Sequence, residues 1–234
     1  MPKPGWPEGR NHLIDTLPTE DRVALETHLT PAPLEVQKSL ARPDDPVDAI
    51  WFPLSGIGSV VAGADGRRIE VGLFGREGMS QTAILMGVDR TPNETLVQVP
   101  GKGLRIATGR FRDLLDARPT LRRHFLRYAQ AFTLQTTYTA LSNGQGKLEE
   151  RLARWLLMCH DRIDGDTVEL THDFLSVMLG VRRAGVTVAT HLLQGKGLIR
   201  AKRGEITITD REGLEEEARS SYGIPEREYA RLIG

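Results

Sequence analysis

The stretch LTHDFLSVMLGVRRAGVTVATHLLQGKGLI, residues 170–199, predicts two short helices joined by a glycine turn. Thr171 is a suitable N-cap for the first helix, whose apolar residues recur at helical spacing until Gly180 ends it. The second helix has small or apolar residues at positions that can pack on the first. Its opposite side stays free and carries Arg183, Ala184, Thr187, Val188 and His191.

A helix-turn-helix of this kind can place the start of its second helix in the major groove of DNA, where arginine bonds guanine and small apolar groups touch thymine methyls. From the two helices alone, an ordinary helical hairpin is the alternative. Residues 199–210, IRAKRGEITITD, favour the DNA interpretation because their alternation predicts a two-stranded hairpin with Arg203-Gly204 at its tip. Together these parts predict a winged helix-turn-helix.

The local charge agrees with this prediction. Residues 171–209 contain six basic and two acidic residues, a net charge of +4, whereas the whole chain of 234 residues is formally neutral. Binding to a phosphate backbone requires such a basic patch. The distribution indicates one focused basic face, although each lysine or arginine taken singly also fits a solvated surface.

The amino-acid composition limits which classes of protein this chain can belong to. With 39% hydrophobic and 26% charged residues, the chain has ordinary globular composition and is long enough for two modest domains. Apolar runs are far shorter than a membrane span and the N-terminal residues lack an apolar export segment, so we expect a cytoplasmic protein with no membrane partner.

The single cysteine, Cys159, excludes an intrachain disulfide and a cysteine-rich metal site, and no metal site is predicted. Without a nucleophile-base set or an HExxH motif, no enzyme activity is expected.

Residues 36–106 change from helical to alternating spacing. Alternating segments flank two glycine-containing turns, at residues 63–66 and 100–103. Short strands with turns between them, and no long helices, predict an antiparallel β-barrel or sandwich. Within this region, the loop at residues 75–78 could present an arginine and exposed amides to an anion. A β-turn leading into a short helix is the alternative that the sequence favours for this loop.

A long helix is predicted from Pro119 towards Ser142, after a short helix over residues 109–117. It carries a seam with alternating spacings of four and three, which predicts pairing with the same helix of a second subunit. Docking of this helix on the barrel is the alternative. Residues 143–146, NGQG, then form a boundary or hinge. The expected dimer interface is the apolar first half of the seam, Leu121, Phe125, Tyr128 and Phe132, and the seam continues with the polar residues Gln135, Thr139 and Ser142.

The order of these parts resembles the Crp/Fnr family of bacterial transcription regulators. The resemblance implies an α+β fold with an N-terminal antiparallel β-barrel of the double-stranded β-helix, jelly-roll-like type, a long dimerisation helix and a C-terminal winged helix-turn-helix. The implied domains are a cyclic-nucleotide-binding-like sensor (residues 1–117), the dimerisation helix and hinge (118–146) and the DNA-binding domain (147–234). The matching residues are 150–153 (ERLA), 179–181 (LGV), Arg183, Val186, 197–199 (GLI) and 206–210 (ITITD).

The same resemblance implies roles for individual residues. Base reading is expected from Arg183, Thr187 and His191, and phosphate contacts are expected from Thr171, His172, Arg182, Lys202 and Arg203. Thr136 and Thr137 lie where the family's long helix touches its effector, although a role as helix-surface or interface threonines is the alternative. The other expected effector contacts, Gly75, Arg76, Glu77 and Gly78, come from the anion-binding interpretation of their loop and not from the resemblance. The implied partners are a palindromic double-stranded DNA operator, a second copy of the chain and, for an activator, RNA polymerase. The competing hypothesis is a small-molecule-binding module whose helix-turn-helix contacts proteins.

Two departures from the better-known family members limit these expectations. Ala184 and Val188 replace the glutamate and second arginine with which the cyclic-AMP-responsive members read DNA, so a different operator is expected. Asn93-Glu94 replaces the Arg-Ser pair of the cyclic-nucleotide cassette, and a glutamate would repel a phosphate. The effector is therefore not expected to be cyclic AMP, and no cofactor is assigned.

Overall fold

The computed structural model describes residues 1, 3–5 and 8–234. Over these ranges, no helix has both the length and the apolar character needed to cross a bilayer. The N-terminal half consists mainly of strands, with two short helices before them and a long helix after them. Its elements are α1 (His12–Asp15), α2 (Thr19–Glu26), β1 (Thr30–Leu34), β2 (Ser39–Ala41), β3 (Ala49–Pro53), β4 (Ile57–Ala64), β5 (Arg67–Phe74), a 3₁₀ turn (Thr82–Met86), β6 (Glu94–Val99), β7 (Gly101–Ala107), α3 (Thr108–Ala117) and α4 (Pro119–Gln145).

Strands β1 to β7 form two antiparallel sheets, ordered β1-β7-β3 and β2-β6-β4-β5. β4 and β5 join through the two-residue loop Asp65-Gly66, whose φ angles of 51° and 73° fit a type I′ turn. Trp51 of the first sheet shares a buried cluster with Phe74 and Val97 of the second. The two sheets therefore enclose a common core, as expected for a jelly-roll-like domain. The name sensor domain, for residues 1–117, is kept here from the sequence-based expectation.

The segment at residues 100–103, expected as a turn between two strands, leads from one sheet to the other, and residues 101–103 already belong to β7. β6 pairs with β2 and β4, whereas β7 pairs with β1 and β3 in the other sheet. At this crossing, a Cβ on Gly101 would collide with the carbonyl of Ser55, so only glycine fits. Alternating residues predict strands, but they do not say which strands pair.

Helix α4 turns its aromatic seam towards the sensor domain. The ring centroid of Phe125 lies 5.8 Å from that of Phe52 on β3. Leu121, Phe125 and Tyr128 are each at most 2% exposed, and Phe132 is half-buried. The seam that was expected to meet a second subunit therefore fills the core of its own chain, because the apolar surface of β3 and α3 already covers it.

The C-terminal half contains a three-stranded sheet, ordered β8-β10-β9, among helices. The sequence predicted the β9-β10 hairpin but not β8, which has only three residues and little pattern to recognise. The elements are α5 (Leu148–His160), β8 (Thr167–Glu169), α6 (His172–Met178), α7 (Arg183–Gly195), β9 (Ile199–Lys202), β10 (Glu205–Ile208), α8 (Arg211–Ala218), a 3₁₀ turn (Arg219–Ser221) and α9 (Ile224–Ile233).

Helices α5 and α9 connect the two halves. Trp155 and Leu156 of α5 share a buried cluster with Ile57 and Leu73 of the four-stranded sheet. Helix α9 returns to α4, and its Ile233 lies in the core cluster of the N-terminal half. The end of the chain, assigned from sequence to the DNA-binding domain, thus packs on the sensor domain.

Candidate nucleic-acid interface

Helices α6 and α7 are joined by a tight glycine turn. The hydroxyl oxygen of Thr171 accepts a hydrogen bond of 3.2 Å from the backbone N–H of Phe174 and caps α6. Gly180 follows α6 with φ at 62°, a conformation that glycine adopts without strain. Leu175 of α6 and Val186 of α7 are completely buried, so the core fixes how the two helices pack.

The exposed side of α7 carries the residues expected to read bases. Arg183, Thr187 and His191 are spaced by four and therefore line one face of the helix. Arg183 and His191 are exposed. Thr187 is half-buried, and its hydroxyl lies 3.1 Å from Nδ1 of His172 and donates to the carbonyl of Arg183 over 3.2 Å. This contact connects the residues expected to read bases to His172, which was expected to contact phosphate.

Arg183 is lightly held at the start of α7. Its Nε lies 3.4 Å from Oδ1 of Asp173, and the two side chains are 67% and 70% exposed. An ion pair this exposed contributes about 0–1 kcal/mol, less than the roughly 1–3 kcal/mol that a bidentate arginine-guanine contact supplies. Asp173 can therefore orient the guanidinium without competing with a base.

A second exposed row on α7 is apolar. Val188 is 60% exposed and Leu192 is 46% exposed, next to the exposed Ala184. These three residues also follow at intervals of four, beside the polar row. Apolar groups in this position suit contact with thymine methyls. The sequence reasoning included Ala184 and Val188 but missed Leu192, whose spacing from Val188 was the available signal.

The β9-β10 hairpin forms the wing. Lys202 pairs with Glu205 across the turn, where Gly204 has a φ of 82°. Lys202, Arg203 and Arg182 at the N-terminus of α7 are all exposed. Nζ of Lys202 lies 3.4 Å from Oε1 of Glu205 on the surface, a weak pair that leaves the ammonium accessible. The positions expected to contact phosphate are thus the cap, the start of α7 and the tip of the wing.

The loop at residues 75–78 is not open to an anion, contrary to its expected effector role. Arg76 Nη1 and Nη2 donate to the two carboxylate oxygens of Asp164, each over 2.8 Å. Arg162 Nε donates to Oε1 of Glu77 over 2.7 Å. Arg76 and Glu77 are both 3% exposed, so these bonds link the sensor domain to the segment after α5. Tyr128 covers Gly78, where an added Cβ would collide with its ring.

The two threonines assigned to the effector lie elsewhere on α4. The hydroxyl of Thr136 donates to the carbonyl of Phe132, and that of Thr137 donates to the carbonyl of Thr133. Thr136 is half-buried and Thr137 is exposed. Both hydroxyls therefore form hydrogen bonds to carbonyls of their own helix, a common arrangement for threonine within a helix.

Residues 150–217 match the model of the Crp-like helix-turn-helix domain. The chain contains a Crp-like helix-turn-helix domain. The match includes α6, α7 and the wing, which carry all the residues expected to contact DNA. No curated protein sequence matches the chain.

Solved structures of Crp/Fnr-type regulators share the fold of nearly the whole chain. A Eubacterium rectale protein described as a Crp/Fnr-family transcriptional regulator has a TM-score of 0.69 at 18% identity, covering 89% of this chain and 98% of its own. FixK2 of Bradyrhizobium japonicum has a TM-score of 0.67 at 15% identity and covers 82% and 98%. The regulator CLP of Xanthomonas campestris, described as c-di-GMP-responsive, has a TM-score of 0.64 at 19% identity and covers 82% and 99%. The sensor and the Crp-like domain together thus form a Crp/Fnr-type regulator fold.

A buried glutamate, Glu70, lies between the four-stranded sheet and the Crp-like domain. Glu70 on β5 accepts a hydrogen bond of 2.8 Å from Nε1 of Trp155 on α5, and its other oxygen lies 2.6 Å from Oγ of Ser59. Ser59 Oγ also lies 2.5 Å from Oε1 of Gln98, and one hydroxyl proton cannot serve both acceptors. Two arrangements satisfy all three groups: a protonated Glu70 donates to Ser59 while Ser59 donates to Gln98, or Ser59 donates to Glu70 while the amide of Gln98 is turned to donate to Ser59. Burial raises the pKa of Glu70 to about 7, and the hydrogen bonds from Ser59 and Trp155 limit the rise.

We expect Glu70 to make the protein less stable as pH rises from about 4.5 to about 7. Below this window the carboxyl is protonated in both states, whereas within it the unfolded state releases the proton first. The loss should reach about 3 kcal/mol, because each unit of pKa difference corresponds to about 1.4 kcal/mol. Glu70→Gln should remove this component of the pH dependence in urea unfolding at about pH 5 and about pH 8. Identical pH dependence in wild type and variant would exclude Glu70 as its source.

Proposed function

We propose that the chain is a homodimeric, sequence-specific DNA-binding regulator of transcription that reads a two-fold operator through α7, and that it is not an enzyme. The observation that carries this proposal is the exposed face of α7, with Arg183 and His191 in one row and Val188 and Leu192 beside it. The basic wing tip continues this surface at Lys202. Bidentate donors, apolar groups and phosphate-binding cations in this order suit the major groove and its flanking backbone.

The face of α4 opposite the core supports the dimer. Leu126 and Leu141 are each 39% exposed, on a helix that buries its other face in the core. Thr133 and Thr137 are exposed between them, so the four residues follow at intervals of seven, four and four. This spacing suits a helix-helix seam with a second copy. A two-fold dimer would place two copies of α7 about 34 Å apart, one turn of DNA.

Thr137→Arg should weaken the dimer, because it places two like charges near the two-fold axis of this seam. We expect the dissociation constant of the dimer to rise at least about tenfold, equivalent to about 1.4 kcal/mol. Sedimentation equilibrium would measure it. Thr27→Arg is the matched control, since it adds the same charge at an exposed site beyond α2. A dimer of unchanged strength in Thr137→Arg would place the interface elsewhere.

The effector is proposed not to be cyclic AMP. Arg76 is engaged by Asp164. Asn93 stands where the cassette arginine is expected, and the following Glu94 pairs with Arg68 at the surface. A cyclic phosphate would therefore meet a carboxylate at Glu94 and would have to displace a bidentate ion pair at Arg76. If the protein activates transcription, RNA polymerase is its proposed further partner.

Selection of duplexes from a random pool tests the function. We expect the purified protein to enrich a palindromic site, and fluorescence anisotropy should show that binding weakens steeply as salt concentration rises. Specific sites are typically bound about 10³–10⁷ times more tightly than random DNA. A protein that shows no salt-dependent binding to any duplex would favour the alternative, a small-molecule-binding module whose helix-turn-helix contacts proteins.

A further inference from the structure

A cavity of about 520 Å³ lies between the sensor domain and the C-terminal helix. Its volume falls within the range of about 300–1,000 Å³ typical of small-molecule sites. The described residues that line it come from the N-terminal segment, α4, the end of α5 and α9. It is separate from the reading face of α7 and from the wing. A molecule in it would touch both halves of the protein.

The walls of the cavity are mainly apolar. Helix α4 contributes the rings of Tyr128 and Phe132, whose centroids are 6.3 Å apart, and the methyl group of Ala131. Helix α9 contributes Pro225 and Ala230 from the opposite side. Two aromatic rings and small side chains form a surface that an aromatic or branched aliphatic group can contact closely.

The charged groups at the cavity already have partners within the protein. Glu77 is paired with Arg162, and Asp161 accepts hydrogen bonds from Arg211 and Tyr222. Glu226 accepts a hydrogen bond of 2.7 Å from the backbone N–H of Gly223. A charged ligand would have to displace one of these buried interactions, and removing one partner of a buried pair is costly.

The polar but uncharged groups are engaged in the same way. Gln135 donates to the carbonyl of Leu73 and accepts from its backbone N–H, over 3.0 and 2.9 Å. The hydroxyl of Tyr229 donates to the carbonyl of Glu77 over 2.7 Å. The cavity thus offers contact area and few unused hydrogen-bonding groups, which selects against strongly polar ligands.

We propose that this cavity binds an uncharged, largely apolar small molecule, and that this molecule is the effector; the second part rests on the proposed DNA-binding function. A ligand in the cavity contacts α4 and α9 and lies beside the Glu77–Arg162 pair that joins the two halves. It therefore binds more tightly to the arrangement in which the halves are docked than to one in which they separate. Differential affinity of this kind is what allows a ligand to shift a conformational equilibrium.

Two fluorescent probes with the same ring skeleton test the ligand class. Phenylnaphthylamine is uncharged, and anilinonaphthalene sulfonate carries a negative charge. We expect the uncharged probe to bind the purified full-length protein at one site per chain, about tenfold more tightly than the anionic probe, because the anion would be desolvated without a free cation. Equal or tighter binding of the anionic probe would overturn the proposed ligand class.

Substitutions on α9 test the location. Ala230→Trp fills the cavity from an exposed position and should weaken the uncharged probe about tenfold or more, with Ala230→Leu intermediate. Arg231→Trp is the matched control, because it adds the same ring to an exposed position that is not part of the cavity lining, and should leave binding unchanged. Probe binding that is insensitive to both Ala230 variants would overturn the site. The graded leucine variant guards against misfolding of the tryptophan variant.

The effector role has its own readout. Saturating phenylnaphthylamine should change the affinity of wild-type protein for its selected duplex by about threefold or more, and should have no such effect on Ala230→Trp. Probe binding without any change in duplex affinity would overturn the effector role and leave the ligand site standing. The probe titrations contain no DNA, so they test the ligand site even if the protein binds no duplex. Failure of the DNA-binding proposal would appear only in the duplex-binding experiments.

Discussion

Alanine in place of Glu77 is expected to lower the free energy of unfolding by about 3–5 kcal/mol. The side chains of Glu77 and Arg162 are only 3% and 7% exposed, so the substitution would leave a buried guanidinium without its closest counter-charge. Burial by itself lowers the pKa of Arg162, and the charges of Glu77 and Asp161 raise that pKa above its usual value. The guanidinium of Arg162 thus remains charged throughout the pH range in which the protein is folded. Urea unfolding at neutral pH measures the loss.

Two further variants separate the ion pair from simple loss of packing. Arg110→Ala removes one partner of an exposed pair with Asp113 and should cost less than about 1 kcal/mol. The double variant Glu77→Leu with Arg162→Met should recover most of the stability lost in Glu77→Ala, because no unpaired charge stays buried. If Glu77→Ala loses no more stability than Arg110→Ala, the pair does not hold the two halves together.

The parts of the fold that local sequence determines were predicted well. α6 begins after Thr171, whose hydroxyl caps it, and ends before Gly180, which adopts a positive φ angle. Asp65-Gly66 likewise adopts the positive φ angles that a two-residue hairpin loop requires. The buried positions of α7 follow from its helical spacing alone. These signals lie within a few residues of one another, so the sequence suffices to read them.

The partners of a surface do not follow from local sequence. The aromatic seam of α4 is equally suited to a second chain and to its own sensor domain, and only the position of β3 and α3 decides that Phe125 is a core residue. Arg76 and Glu77 looked like an anion-binding loop because Asp164 and Arg162 are 88 and 85 residues further along the chain. In the folded chain Arg76 and Glu77 are buried in ion pairs with Asp164 and Arg162, so they join the two halves of the protein and do not form an anion-binding loop. The residues proposed to read bases on α7 need no distant partner within the chain, because base reading requires only that they be exposed, as Arg183 and His191 are.

Arg183→Ala is expected to abolish discrimination at one base pair in each half-site of the operator. A bidentate arginine-guanine contact contributes about 1–3 kcal/mol, so the two half-sites together should lose about 2–6 kcal/mol on the selected duplex if their effects add. Little of this is offset by release of Asp173, because its exposed contact with Arg183 contributes at most about 1 kcal/mol. Anisotropy titrations on the selected duplex and on single-base-pair substitutions of it would measure the loss.

Comparison with the wing separates base reading from charge. Lys202→Ala should weaken selected and random duplexes alike and reduce the slope of log affinity against log salt by about one per copy, since Lys202 is expected to contact phosphate. Arg183→Lys keeps the charge but not the planar pair of donors, so it should retain the salt dependence and lose the base preference. Lys202→Ala should therefore change the salt dependence of binding, whereas Arg183→Lys should change the base preference. Equal losses on selected and random duplexes for Arg183→Ala would make Arg183 a phosphate contact, and base recognition would then fall to His191 and the apolar row at Val188 and Leu192.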